Sequence, residues 1–293
     1  MPFTTLIDVD SLIALAGPVV LLDCRFDLSD PDAGRRAYAA GHIPAARYAD
    51  LNQDLSSPVT STSGRHPLPA PDVLAAYFAA AGIGRQTQVI AYDDANGTFA
   101  ARAWWLLKWL GHAPVAVLDG GFKAWVAAGG AVAGAPAAGA PVESGEPGPV
   151  GGGAKAPFTV RLQPQTVLTA AEVQRALEDP RRLLVDARAA ERFAGAVEPL
   201  DPVAGHVPGA VNHPFTGNLG EDGRFLPAGE LRRRWLDRLR GTDPADAILM
   251  CGSGVTACHN ILAMTAAGLP GGKLYAGSWS EWIRDPGRPV ARG

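Results

Sequence analysis

Apolar residues in this chain gather into short runs that alternate with longer stretches of helical spacing. Val19–Asp23, Val89–Tyr92, Leu183–Asp186 and Ile248–Met250 read as short buried strands. Between and after them lie helical stretches. Asp72–Ala81 ends at Gly82, Ala100–Leu110 is stopped by Gly111, and Thr256–Ala267 is stopped by Gly268. Thr169 with Glu172 predicts a capping box ahead of Val173–Leu177. Short strands alternating with helices predict an α/β fold whose sheet is mainly parallel and flanked by helices. In such sheets ligands sit at the carboxyl ends of strands, where loops meet helix N-termini.

The pattern occurs twice. Leu21-Leu22-Asp23-Cys24-Arg25 matches Leu184-Val185-Asp186-Ala187-Arg188, and Gly41-His42-Ile43-Pro44-Ala45-Ala46 matches Gly205-His206-Val207-Pro208-Gly209-Ala210. At an offset of 157, Asp94-Ala95-Asn96-Gly97 pairs with Cys251-Gly252-Ser253-Gly254. The same offset pairs Gly111 with Gly268, Gly120 with Gly277 and Trp125 with Trp282. A constant offset over more than thirty residues points to a duplicated domain. Between the copies, residues 130–157 contain 21 Ala, Gly or Pro among 28, with no apolar periodicity. Such a stretch buries too little surface to offset its ordering entropy. The expected organisation is therefore a first domain over 1–130, a linker over 131–157 and a second domain over 158–293.

Composition narrows the class. The 293 residues are 47% hydrophobic and 19% charged, with a formal net charge of −3. That excludes global disorder and gives no electrostatic footprint for nucleic acid. The longest early apolar run, Leu12–Leu22, is broken by Gly17 and Pro18 and is too short for a bilayer. Asp8 and Asp10 stand where a secretory leader would be basic. A cytoplasmic protein with no membrane association is expected. Three cysteines do not make a disulfide framework, and each is by default a small buried hydrophobe in a reducing compartment.

One cysteine breaks that default. Cys251 follows the strand Ile248-Leu249-Met250 and begins Cys251-Gly252-Ser253-Gly254-Val255-Thr256, which opens a helix. Two glycines let the backbone curl and turn its N–H groups inward. The helix N-terminus adds partial positive charge at the same place. Both favour a thiolate, which is the nucleophilic form. Cys258, within the helix, and Cys24, directly after a strand, read as structural. Cys251 with Cys258-His259 fits no zinc spacing, so no metal is expected. A cysteine phosphatase needs arginine six residues after the cysteine, and position 257 is Ala. The sequence contains neither a G-x-S-x-G elbow nor a P-loop.

The Cys251–Thr256 loop resembles that of tandem-domain sulfurtransferases of the rhodanese superfamily, the 3-mercaptopyruvate and thiosulfate sulfurtransferases. Asp186-Ala187-Arg188…Arg192-Phe193…Gly205–Asn212 and Leu274–Trp282 also fit the resemblance, as do Tyr92-Asp93-Asp94 and Ala100–Trp105 in the first half. It covers nearly all of the chain except the linker. It implies two rhodanese domains of which only the second is catalytic, with Asp94 standing where Cys251 stands in the active half. It implies that the Cys251 thiolate takes sulfur from a small-molecule donor as a persulfide. A thiophilic acceptor such as cyanide, a thiol or thioredoxin then removes it, and no cofactor takes part. The N–H groups of Gly252, Gly254, Val255 and Thr256 would hold the transferred sulfur.

A loop without basic side chains favours 3-mercaptopyruvate over thiosulfate. The family's carboxylate-binding arginine maps onto Arg192, and Arg188 is a second candidate. Where the family usually has another arginine after Glu-Pro, Glu198-Pro199 is followed here by Leu200-Asp201. The family's protonating serine maps onto Ser253, and its histidine falls in the region of His66, with Asn52 where an aspartate is expected and Asp50 and Asp54 nearby. His42 and His206 recur in both halves, as do the pairs Asp23/Arg25 and Asp186/Arg188, so both read as structural. Trp279 and Trp282 read as core or pocket wall. The competing readings are a phosphatase or arsenate-reductase-like enzyme on the same fold and a non-enzymatic rhodanese binding module, which commonly lacks the cysteine.

Overall fold

The computed structural model describes residues 1–134 and 158–293. The chain forms two compact units, each built around a five-stranded, all-parallel sheet. In the first unit the strands are β1 (Leu6–Ile7), β2 (Val19–Asp23), β3 (Arg47–Tyr48), β4 (Gln88–Tyr92) and β5 (Val115–Leu118), in the order β1-β5-β4-β2-β3. In the second they are β6 (Val167–Leu168), β7 (Leu183–Asp186), β8 (Val211–Asn212), β9 (Ala247–Met250) and β10 (Lys273–Tyr275), in the order β6-β10-β9-β7-β8. The two orders are the same, which is the duplication written in topology.

The central strands explain why the apolar runs are continuous. β4 and β9 are buried along their whole length, since helices cover both faces of a parallel sheet. The expected helices are present as Pro71–Ala80, Ala100–Trp109 and Thr256–Ala266. Thr169 caps the helix Ala170–Ala176, with Glu172 returning the bond in a full capping box. One core gathers Ile7, Ile43, Ile90, Tyr92 and Leu118; the other gathers Val173, Leu184, Ile248, Met250, Trp279 and Trp282. The edge strands, two residues each, carry no periodicity of their own and take their shape from a neighbour, as β3 does from β2.

The units do not divide at the expected boundary. Ser56–Leu68 clusters with the second unit and residues 158–163 with the first. Arg161 and Gln163 donate backbone N–H bonds to the carbonyls of Leu110 and Trp109, and Phe158 lies against Phe78. The expected linker falls outside the described residues except for its first four. Of these, Ala131 accepts from the Trp125 indole and Ala133 bridges to His42.

The duplicated motifs are braces. Arg25 grips Asp23 through two nitrogens, reaches the Gly41 carbonyl and lies over the Phe122 ring. Arg188 repeats this with Asp186, the Gly205 carbonyl and Trp279. His42 Nδ1 meets the Tyr38 carbonyl and His206 Nδ1 the Phe193 carbonyl, both at 2.8 Å, and each imidazole stacks on the ring of the same residue.

Candidate active site

β9 ends at Met250, and Cys251 begins the turn into the helix Thr256–Ala266. The Cys251 thiol is 2% exposed and sits at the mouth of the loop's N–H groups. Gly254 N–H points at Sγ from 3.1 Å and Ser253 N–H from 3.5 Å. This is the geometry by which backbone dipoles hold negative charge. Gly254 makes the curl possible. Its φ is +80°, and a Cβ there would stand 2.4 Å from the Ala276 carbonyl oxygen. Val255 and Thr256 continue the turn into the first helical residues.

The floor under the loop comes from the segment after β10. Cys251 N–H donates to Ser278 Oγ at 3.0 Å, and that hydroxyl donates to the Tyr275 carbonyl. Trp279 and Ser280 N–H donate to the carbonyls of Cys251 and Gly252. Ser278 holds this place at φ +54°, a left-handed conformation that costs a non-glycine residue of order 1 kcal/mol. The motif Leu274–Trp282 marked the segment in the sequence. Nothing in the sequence assigned it to supporting the cysteine.

Ser253 and His66 meet as the resemblance implied. His66 Nδ1 lies 2.7 Å from Ser253 Oγ, and His66 is buried. Ser56–Leu68 brings it there, with Gly64 close against Gly277, where a Cβ would meet the carbonyl oxygen at 2.4 Å. Asp50 and Asp54 belong to the first unit. Asp50 accepts the N–H groups of Asn52 and Gln53, and Asp54 accepts that of Asp50.

The arginines separate into different roles. Arg192 lies beside Gly252, with Nη1 and Nη2 each 3.6 Å from where a Cβ would stand. Its Nε and Nη2 are held by Glu198, the latter at 2.6 Å, and Nη2 also reaches Asp201 at 3.4 Å. Arg188 corrects an expectation. Its side chain is 1% exposed, and its nitrogens are taken by Asp186, the Gly205 carbonyl and Glu198. A guanidinium so enclosed cannot receive a donor; it braces the loop after β7 and backs Glu198. Burial alone would push the Glu198 carboxyl up. The bond from Arg192, the Leu200 N–H and the neighbouring arginine charges outweigh that and hold it below the usual carboxylate value.

A residue the sequence did not single out completes the group. Arg65 pairs through Nη1 with Asp201, and its Nη2 stands 2.8 Å from the Cβ position of Gly252. No local signal could have found it, since Arg65 and Asp201 lie 136 positions apart in the chain.

The other cysteines are inert. Cys258 is buried in its helix, with Sγ on the Gly254 carbonyl at 3.2 Å. Burial, followed by the charges of Asp93, Asp23 and Asp54, pushes the Cys24 thiol well above its usual value.

A family model for the rhodanese-like domain matches residues 8–128 and again 169–285. The chain belongs to the rhodanese family. A protein of Pseudomonas aeruginosa, named a probable 3-mercaptopyruvate sulfurtransferase, is 50% identical over 94% of this chain and 93% of its own. A putative thiosulfate sulfurtransferase, SseB, of Mycobacterium tuberculosis is 39% identical over 99% of this chain and 96% of its own. The solved structure of the 3-mercaptopyruvate sulfurtransferase from Leishmania major superposes with a TM-score of 0.80 at 32% identity, covering 97% of this chain and 76% of that one. This rhodanese is a sulfurtransferase. By the register of the two sheets, Asp93 rather than Asp94 takes the place of Cys251. Asp23 pairs with Tyr92 as Asp186 pairs with Met250, and the next residues are Asp93 and Cys251. The first loop carries one additional residue before its left-handed glycine, Gly97, than the second does before Gly254, and this extra residue conceals the true match in the sequence.

Proposed function

We propose that Cys251 transfers the sulfur of 3-mercaptopyruvate to a thiophilic acceptor through a persulfide. The observation that carries the reading is the Cys251 sulfur facing two backbone N–H groups, with the Ser253–His66 pair beside it and Arg192 next to Gly252. The Cys251 thiolate attacks the donor sulfur. An S–S bond forms, the donor's C–S bond breaks, and its electron pair leaves as the enolate of pyruvate. Ser253 Oγ delivers a proton to that enolate and recovers one through His66. The loop N–H groups hold the charge of the outer sulfur. Arg192 receives the donor carboxylate. An acceptor such as cyanide, a small thiol or a reduced thioredoxin-like protein then takes the outer sulfur and returns the thiolate, so ping-pong kinetics are expected.

No cofactor or metal enters this scheme. We assign the protein to the cytoplasm. No helix among the described residues is long and apolar enough to cross a membrane. Thiosulfate is the second reading, favoured by the pair of guanidiniums beside Gly252, since they also suit a sulfonate. Thiocyanate formation with each donor decides between them. A higher kcat/KM for 3-mercaptopyruvate supports the first, and a higher value for thiosulfate replaces it with the second.

A further inference from the structure

A cleft of about 470 Å³ opens in the second unit between the helix Ala228–Leu239 and the residues that follow β8. Its lining includes His213, Gly217, Arg234, Asp237, Arg238 and Arg240, none of which belongs to the group around Cys251. Arg234 and Arg238 stand one turn apart on the same helix face, where like charges repel. Arg234 is held ready: its Nε donates to Glu230 at 2.7 Å and its Nη1 to the Gly217 carbonyl at 3.0 Å, which leaves Nη2. Among the described residues, the guanidiniums of Arg238 and Arg240 have neither an ion pair nor a hydrogen bond. The acid in the lining, Asp237, is drawn to Arg233 at 3.5 Å. Arg240 is also kept against its backbone preference, at φ +52° in the position after the helix that glycine fills without strain. A helix end is balanced by about half a positive charge. Three guanidiniums against one acid exceed that. The excess reaches the buried ring of His213, where the charges of Arg238 and Arg234 add to burial in lowering its pKa.

We propose that this cleft is a second ligand site, for the phosphate of a small molecule that carries at least two negative charges. Two charges are needed because the surplus is more than a single carboxylate would balance. Phosphate also presents oxygens in several directions, so guanidiniums on successive turns can each take an edge. The volume lies in the range of small-molecule sites and leaves room beyond one phosphate group. The cleft begins one residue after β8, and β7 separates β8 from β9. The site thus stands two strands from the one that ends at Cys251, and it does not depend on the sulfur chemistry.

The test titrates the full chain with inorganic pyrophosphate by calorimetry at neutral pH. Wild type should bind with a Kd below about 1 mM. Arg238→Gln should weaken binding about tenfold, and Arg238→Gln combined with Arg240→Gln about 100-fold. Arg233→Gln removes the same charge from the same helix outside the cleft, and should change Kd less than about threefold. Arg192→Met, beside Cys251, should likewise leave Kd within about threefold. A parallel titration with ADP separates the sources of the phosphate. Tighter binding of ADP by more than about threefold assigns a phosphate ester, and equal or weaker binding assigns the free anion; either supports the site. A wild-type Kd above about 1 mM, equal weakening by Arg233→Gln and Arg238→Gln, or loss in Arg192→Met alone would overturn it. If Arg238→Gln fails to fold, Arg238→Lys keeps the charge, loses the fork and should weaken binding about threefold. A readout on the unaltered chain is the indole N–H resonance of Trp235, whose ring centre lies 4.2 Å from that of His213. It should shift during the titration while that of Trp104, in the first unit, stays in place; the reverse would remove the site.

Discussion

The loops after β4 and β9 solve one backbone problem with different side chains. In the first unit the Asp93 carboxylate accepts N–H bonds from Ala95, Gly97, Phe99 and Ala100, all between 2.8 and 2.9 Å. In the second unit, Cys251 Sγ meets only the N–H groups of Ser253 and Gly254, at longer distance. The positions beneath the loops also match. Gly121 at φ +57° stands where Ser278 stands at φ +54°. The first unit takes the residue that bears this conformation at no strain. The second accepts the strain and gains a hydroxyl for Cys251 N–H. A loop whose donors are saturated by its own anion is a structural cap, whereas one left with a soft sulfur at its mouth can take a guest.

Breaking the comparison at the cysteine should have the largest effect. Cys251→Ser should lower thiocyanate production by at least about 10³-fold with either donor, and residual turnover near the wild-type rate would remove Cys251 from the chemistry. Next in size is the first unit's cap. Asp93→Ala leaves three buried N–H groups and one part-buried N–H group without their acceptor and should cost the first unit about 3 kcal/mol. Denaturant melts should record that loss while kcat at low temperature stays within about threefold of wild type. A kcat that collapsed in a folded variant would contradict a purely structural cap.

A third contrast lies after the edge strands. Ala49 donates to the Asp23 carbonyl as His213 does to the Asp186 carbonyl, so a buried alanine in the first unit answers to a buried histidine in the second. Burial, against the bond to Asn218, lowers the His213 pKa to about 4, and Arg238 and Arg234 add to the shift. With a folded pKa below the unfolded value of about 6.5, the unfolded state binds the extra proton. Stability is therefore full above pH 6.5 or so and lost as pH falls toward 4, by up to about 3 kcal/mol. Trp235 lies against the His213 ring, with centroids 4.2 Å apart, so acid titration followed by tryptophan fluorescence should show the second unit opening first, and His213→Ala should flatten that pH dependence. The smallest effect is expected at Ser253. Ser253→Ala should slow mercaptopyruvate turnover about tenfold and leave thiosulfate turnover within about threefold, because only the first donor leaves as an enolate. Equal slowing on both donors would argue against the proton relay.

The elements legible in the sequence were those whose signal is local. Continuous apolar runs marked β2, β4, β7 and β9, and the turn glycines and the Thr169 box marked helix ends. Cys251 was legible because a cysteine between a buried run and a glycine-rich helix start is unusual chemistry in an ordinary place. What escaped depended on distance in the chain. The two-residue edge strands exist only through pairing, and the Arg65–Asp201 contact spans 136 positions. Arg188 misled because an arginine in a motif carries the same letter whether it grips a donor or its own loop. The match of Asp94 to Cys251 slipped by one because glycine spacing cannot reveal an extra residue inside a turn.

The Asp93 side chain has a further meaning. From Cβ it extends through one atom, Cγ, to charged oxygens that lie among the loop N–H groups. A cysteine persulfide extends from Cβ through one sulfur to a charged outer sulfur, so both side chains set their negative charge two bonds from Cβ. The first unit thus holds, as a permanent part of its covalent structure, a cast of the short-lived species proposed for the second.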